Sequence, residues 1–158
     1  MINVFITNRQ SSLRVSEQAI SQIIHTTLKE EEKEFDEVSI YLVDTKEISE
    51  LHARYFNDPS VTDCISFPMD KHNEKGYRML GDVFVCPQTA LNYCKKNSGD
   101  PYKELSLYII HGILHLLGYN DIDDKDRKIM RFAEKRILTL LEKKNINVKK
   151  IANCLQKS

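Results

Sequence analysis

The sequence predicts an α+β fold in a single domain, with about four strands and about five helices. Segments with strand periodicity and segments with helix periodicity follow one another without the strict alternation of a parallel α/β protein. The chain has 158 residues, the length of one domain, and its 41% hydrophobic and 29% charged residues are typical of a globular protein. No apolar run approaches the ~18 residues that a membrane span requires.

The first half of the chain predicts two strands and two helices in alternation. The strands have alternating or β-branched side chains, and the helices have apolar side chains that recur every three or four residues. Ser16 is placed to cap the first helix, and the sequence Asn57-Asp58-Pro59 is placed to end the second. In order, we predict a strand at 2–7, a helix at 16–29, a strand at 38–43 and a helix at 45–56.

Two short strands and three helices are predicted for the second half. Proline favours the first turn of a helix, so Pro87 and Pro101 mark two helix starts. The helix after Pro101 is apolar nearly all round, which predicts that it is buried at the centre of the fold. The strands are predicted at 64–67 and 80–86, and the helices at 87–96, 102–117 and 123–141.

Charge is balanced overall but not along the chain. Residues 1–124 carry 12 basic and 20 acidic residues, a net charge of −8, and residues 125–158 carry 11 and 3, a net charge of +8. This asymmetry indicates either an anionic partner or lysines that only solvate a helix end and a tail. We predict a domain at 1–142 followed by a basic tail at 143–158, and a solvated helix end at the acidic run 30–34.

The end of the buried helix carries a candidate metal site. His111 and His115 lie four residues apart, so both imidazoles point from one helix face. Gly118 can end the helix with a positive φ, after which the chain can turn back and present Asp121. Three protein ligands with one open position are typical of catalytic zinc.

The alternative is a pair of histidines that only form hydrogen bonds in the core. Such pairs arise by chance, and a buried imidazole usually has a hydrogen-bond partner. The glycine, the carboxylate and the apolar surroundings of the pair favour the metal site.

The same spacing is found in metzincin proteases, with two differences. Their general-base glutamate corresponds to Gly112 here, and their third histidine corresponds to Asp121. Without the glutamate, no group at that position can take a proton from the attacking water, which disfavours peptide hydrolysis.

Three segments resemble the YbeY family of bacterial endoribonucleases. The segment from His111 to Tyr119 matches the family signature H-G-x-L-H-L-x-G-Y, the segment 62–68 matches T-D-V-L-S-F-P, and the segment 80–86 matches L-G-D followed by three apolar residues and cysteine. Their order and separations also fit, so the resemblance covers the domain and leaves out the tail after about residue 141.

The resemblance implies an α+β fold with a small mixed sheet and one Zn²⁺ ion bound by His111, His115 and Asp121. It implies a metal-dependent endoribonuclease, selective for single strands, that matures the 3′ end of 16S rRNA and serves ribosome quality control. The implied partners are rRNA and the small ribosomal subunit, with neither DNA nor membrane. The N-terminal residues lack the basic region of a signal peptide, which predicts a cytoplasmic location.

Two positions depart from the family pattern. The family's third histidine is Asp121 here, and a carboxylate should make the metal a weaker Lewis acid and favour ions such as Mn²⁺ more than a third imidazole would. The family arginine before the T-D-V-L-S-F-P segment corresponds to Phe56, and Arg54 lies two residues away on another helix face. A phosphate-binding arginine is therefore not predicted.

No general base is evident, and Asp63 is the candidate for handling protons or supporting the site; a turn residue is the alternative reading. Phe67 is a candidate for stacking on a base or for the core. Two other functions stay open: a non-catalytic ribosome-assembly factor with a structural metal, and a zincin-like hydrolase of another substrate. Oligomeric state is not predicted.

Overall fold

The structure, a computed structural model, describes residues 1–70 and 75–150. In that part of the chain it contains four strands and five helices, which confirms the predicted α+β class. The elements in chain order are β1 (Asn3–Arg9), α1 (Glu17–Glu30), β2 (Glu37–Val43), α2 (Thr45–Phe56), β3 (Cys64–Pro68), β4 (Met79–Val85), α3 (Pro87–Asn97), α4 (Pro101–Leu116) and α5 (Asp124–Lys143).

The four strands form one mixed sheet in the order β1-β2-β4-β3. β1 pairs parallel with β2, and β2 pairs parallel with β4. β3 runs antiparallel to β4 and forms an edge of the sheet. The small mixed sheet implied by the resemblance is therefore confirmed.

The main core lies between one face of the sheet and the helices α1, α4 and α5. Alternate residues of the central strands, such as Ile40 and Val83, are fully buried there. α4 is the central helix, because nine of its 16 residues are buried. Each large apolar side chain buried in this way contributes roughly 1.5–3 kcal/mol. A smaller cluster on the opposite face packs Ile48 of α2 against Val43 and Ile65.

Several helix ends follow the predicted local signals. The Ser16 hydroxyl accepts a hydrogen bond from the Ala19 amide at 3.2 Å and caps α1. α2 ends at Asn57, which adopts a left-handed conformation with φ of 57°. Pro87 and Pro101 occupy the first positions of α3 and α4.

The chain after α5 folds back onto the N-terminal half. Val148 is fully buried, and its carbonyl accepts a hydrogen bond from the Ser16 amide at 2.7 Å. The Lys150 amide donates to the Arg14 carbonyl at 3.0 Å. The domain boundary at residue 142 stays a prediction, and residues 151–158 of the predicted basic tail lie outside the described residues. Within residues 1–70 and 75–150, no helix is long and apolar enough to cross a membrane.

Close packing against Gly112 fixes the depth of α4 on the sheet. A Cβ at this position would lie 2.5 Å from Cγ1 of Val83 and 3.3 Å from Oγ of Ser66. The Ser66 hydroxyl also donates to the Gly112 carbonyl at 3.0 Å. The position that carries the general-base glutamate in metzincins therefore has no room for a side chain.

We expect Gly112→Ala to lower the free energy of unfolding by about 1–2 kcal/mol, measured by urea denaturation. The clash with a buried, β-branched valine costs about 2–3 kcal/mol, and the helix propensity of alanine offsets about 1 kcal/mol of that cost. Lys103→Ala, at a side chain of the same helix that is 64% exposed, is the control and should change stability by less than about 0.5 kcal/mol. Equal stability of Gly112→Ala and wild type would contradict this packing.

Candidate metal centre

The two histidines face each other near the end of α4. They lie one helical turn apart, and their Nε2 atoms are 3.0 Å from one another. The rings meet edge to face, with centroids 4.5 Å apart and planes at 85°. Both side chains are about a quarter exposed, so the Nε2 atoms can be reached from solvent.

The turn after α4 brings Asp121 to the same point. Gly118 adopts φ of 104°, which a side chain would disfavour. Arg127 of α5 then holds the turn, because its guanidinium donates to the carbonyl of Asp121 at 3.3 Å and to that of Ile122 at 2.7 Å. Asp121 Oδ2 lies 3.5 Å from His111 Nε2 and 3.4 Å from His115 Nε2.

These three atoms form a triangle of the size that a small divalent cation needs. Donors about 2.0–2.2 Å from zinc in a tetrahedral arrangement lie about 3.3–3.5 Å apart, against 3.0, 3.4 and 3.5 Å here. His111, His115 and Asp121 are also the group of described residues whose ligand atoms all lie within 4.8 Å of one another. The structure thus brings together the three residues predicted from the sequence.

Each imidazole has its other ring nitrogen bound to an acceptor. His111 Nδ1 lies 2.5 Å from Oε2 of Glu134 in α5. His115 Nδ1 lies 3.0 Å from the Tyr119 carbonyl oxygen. Both Nδ1 atoms must therefore donate, which directs two Nε2 lone pairs at each other. Such a pair requires a proton or a cation between the rings, and metal-bound histidines have the same outer hydrogen bonds.

The charge around the centre is negative. Burial lowers the pKa of His111, but the hydrogen bond and charge of Glu134 raise it by more, with smaller contributions from Asp63 and Asp121, so the net shift is upward. The pKa of Cys64 is raised by burial first and then by Asp63, Glu134 and Asp121. An excess of carboxylates favours a cation at this point.

Glu31, at the end of α1, holds Tyr119 in the turn after α4. The sequence predicted that Glu31 belongs to a solvated helix end. Its carboxylate accepts from the Tyr119 hydroxyl at 2.6 Å and from the Arg136 guanidinium at 2.8 Å. Burial and the Glu31 interaction raise the pKa of Tyr119 to about 12. The prediction for this residue is wrong because packing of α1 against α5 turns the carboxylate inward, leaving its side chain 8% exposed.

Asp63 lies near the centre but outside the triangle. Its Oδ1 accepts from its neighbours, the Cys64 amide at 2.7 Å and the Thr62 hydroxyl at 3.3 Å. These contacts fit the turn-residue reading, while its charge raises the pKa of His111. Phe67 packs edge-on against Tyr55 and Phe84 and is partly exposed.

Phe56 does not replace the family arginine chemically. Its ring is 55% exposed and lies 5.6 Å from the His52 ring at the end of α2. Arg54 lines a separate groove with Asp44, Glu47 and Glu50. Neither residue belongs to the group around the two histidines.

Sequence reasoning missed Glu134 and Arg127, which position two of the three candidate ligands. Glu134 lies 23 positions after His111, so no short motif contains the pair. A faint signal was present, since Glu134 falls between Ala133 and Ile137 on the apolar face of a predicted helix. A charged residue on such a face requires a buried partner.

The chain is similar to known proteins in sequence and in fold. The sequence model of the family described as Endoribonuclease YbeY matches residues 5–142. The chain is 46% identical over 143 residues to the Endoribonuclease YbeY of Protochlamydia amoebophila, covering 90% of this chain and 95% of that protein. It is 34% identical over 148 residues to that of Chlamydia pneumoniae, covering 91% and 94%. The solution structure of TM1509 from Thermotoga maritima matches with a TM-score of 0.62 at 24% identity, over 90% and 92% of the two chains, and shows the same fold.

We expect Glu134→Gln to weaken binding of a divalent ion about 10–100-fold, measured by titration against a competing chelator. The amide can still accept from His111 Nδ1 but carries no charge, so the imidazole becomes a poorer donor to the ion. Loss of the charge also lowers the pKa of His111 in metal-free protein, which NMR titration can follow.

Glu142→Gln is the matched control on the same helix, because Glu142 is 65% exposed and pairs only with Lys103 among the described residues. It should leave metal affinity unchanged. Equal affinities of Glu134→Gln and wild type would rule out a positioning role for Glu134.

Proposed function

The chain belongs to the Endoribonuclease YbeY family, and on that basis we propose that it is a single-strand-specific, zinc-dependent endoribonuclease. Its proposed task is maturation of the 3′ end of 16S rRNA and ribosome quality control. The proposed partners are rRNA and the small ribosomal subunit, which corresponds to a cytoplasmic location. The observation that carries the proposal is the pair of opposed Nε2 atoms, 3.0 Å apart, with the Asp121 carboxylate beside them.

We assign the binding of one Zn²⁺ ion per chain to His111, His115 and Asp121. When bound, the ion would act as a Lewis acid that polarises a phosphate oxygen and activates a water. Glu134 and the Tyr119 carbonyl hold the two imidazoles in the tautomer whose Nε2 lone pair is free to coordinate. Arg127 keeps the Asp121 backbone in place.

The residues beside the metal centre have narrower proposed roles. Asp63 raises the pKa of His111, and we assign to it a supporting role in handling protons at the site. Ser66 of β3 lies next to Gly112, whereas Phe67 packs on the α2 side of the sheet against Tyr55 and Phe84. Its partly exposed ring can contact an RNA base there. Phe56 itself supplies no cation in place of the family arginine, so the phosphate would be bound mainly at the metal centre.

A peptide hydrolase is disfavoured by Gly112. The contacts of this residue with Val83 and Ser66 leave no space for the glutamate that such enzymes use as a base. A non-catalytic assembly factor would have the same fold and would differ in leaving RNA uncut.

We expect wild-type protein to carry about one equivalent of divalent metal and to cleave single-stranded RNA in preference to duplex RNA. His115→Ala and Asp121→Ala should lose most of both properties, because each removes a ligand. His52→Ala and Asp58→Ala, which change the same residue types on α2 and the loop after it, are controls. Metal content by elemental analysis and cleavage by gel assay provide the test.

A metal-loaded wild type that binds ribosomal subunits but leaves all RNA uncut would support the assembly factor. Cleavage of a peptide would support the zincin-like hydrolase. Retention of metal by Asp121→Ala would remove this carboxylate from the ligand set.

Asp121→His should keep the metal and move the rising limb of the pH–rate profile for RNA cleavage to lower pH. A neutral imidazole removes one negative charge from the ligand set, so the bound ion becomes a stronger Lewis acid. Asp58→His, which makes the same replacement outside the site, should leave the profile unchanged. An unshifted profile in a metal-loaded Asp121→His protein would show that this charge does not tune the reaction.

A further inference from the structure

The exposed side of α5 is cationic. Between residues 127 and 141 this helix has five basic residues and one acidic residue, Glu134, which is buried against His111. The exposed cations Lys128, Arg131 and Lys135 recur at three and four residues and so follow one face. Among the described residues, no carboxylate lies within ion-pair distance of these three, whereas Arg136 is paired with Glu30 and Glu31.

A phenylalanine stands in the middle of these cations. Phe132 is 70% exposed, whereas other apolar residues of the same helix, such as Met130 and Ile137, are buried. The ring lines a groove of about 340 Å³ together with Lys135, Thr139 and Lys143. We call Lys128, Arg131, Phe132 and Lys135 the α5 cationic face.

We propose that the α5 cationic face binds RNA, with the three cations on successive phosphates and Phe132 stacked on an unpaired base. The choice of RNA among polyanions rests on the proposed function. The three cations span about 10 Å of helix axis, over which one nucleic-acid strand presents about three phosphates at a rise of ~3.4 Å. An aromatic ring beside a line of cations is the pattern of single-strand recognition without sequence preference.

The rest of the chain strengthens this choice. Residues 1–124 carry a net charge of −8, so a polyanion is repelled elsewhere and attracted to α5. A lipid surface fits less well, because the apolar side of α5, with Met130, Ala133 and Ile137, is already buried in the core. Only Ile129 and Phe132 of this helix are large, apolar and exposed.

The face borders the side of α5 that contacts the metal centre. Glu134 contacts His111 from the buried side, and Arg131, three residues before Glu134, is exposed next to it on the helix surface. RNA held on α5 would therefore be retained next to the centre rather than in it.

The test compares RNA binding by full-length wild type with that of the triple variant Lys128→Ala, Arg131→Ala, Lys135→Ala. Fluorescence anisotropy with a short single-stranded RNA is measured in chelator, so that a metal-dependent nuclease does not cut the probe. We expect about a tenfold or larger loss of affinity, and a slope of log affinity against log salt that falls by about 2, since each lost phosphate contact removes ~0.7.

Phe132→Ala separates stacking from charge. It should weaken binding about fivefold or more while leaving the salt slope unchanged. The matched control Lys46→Ala, Lys95→Ala, Lys96→Ala removes three exposed cations from α2 and α3 and should bind as wild type does. Circular dichroism and metal content confirm that each variant is folded.

Wild-type affinity in the α5 triple variant, or an equal loss in the control, overturns the proposal. The proposal is also overturned if wild type binds phosphatidylglycerol vesicles in preference to RNA. It is overturned as well if Phe132→Ala changes self-association but not RNA affinity. Two results separate this proposal from the proposed function. If RNA binds through α5 but is never cut, the nuclease proposal is wrong and the α5 cationic face is retained. If the protein cleaves RNA with metal but the triple variant binds RNA as wild type does, the α5 proposal is wrong and the nuclease proposal is retained.

Discussion

The geometry of the centre depends on the short contact between the Glu134 carboxylate and the Nδ1 atom of His111. It fixes which ring nitrogen carries the proton, and the Tyr119 carbonyl does the same for His115. With both Nδ1 atoms committed, two lone pairs converge at 3.0 Å, an arrangement that is unfavourable until a positive charge lies between them. Three features of the fold hold the two imidazoles and Asp121 in this arrangement: the packing of α5, the turn after α4 and the close approach of α4 to the sheet.

The parts of this protein that sequence could predict depend on neighbours in the chain. Ser16 caps its own helix, and Gly118 ends α4 where its backbone requires a positive φ. The two histidines and Asp121 lie within 11 residues, so a helical turn and a reversal suffice to predict their meeting. The strand order was not predicted from periodicity, since pairing partners are decided by the three-dimensional packing of the helices.

The parts that could not be predicted depend on contacts between distant segments. Glu31 and Tyr119 are separated by 88 positions, and in the sequence Glu31 cannot be distinguished from the solvated carboxylates beside it. Glu134 differs from such solvated carboxylates in the sequence only because it falls on the apolar face of a predicted helix. For Phe56 the reverse holds: the sequence shows the loss of an arginine, and in the structure the exposed ring of Phe56 lies against His52 rather than against the two histidines of the centre.

The edge strand β3 has a consequence for self-association. An unpaired strand edge is a template on which other chains can extend the sheet. Here that strand has only five residues and ends at Pro68, which has no backbone N–H to donate. The short length of β3 and its terminal proline therefore limit the edge on which a second chain could pair beside the candidate metal centre.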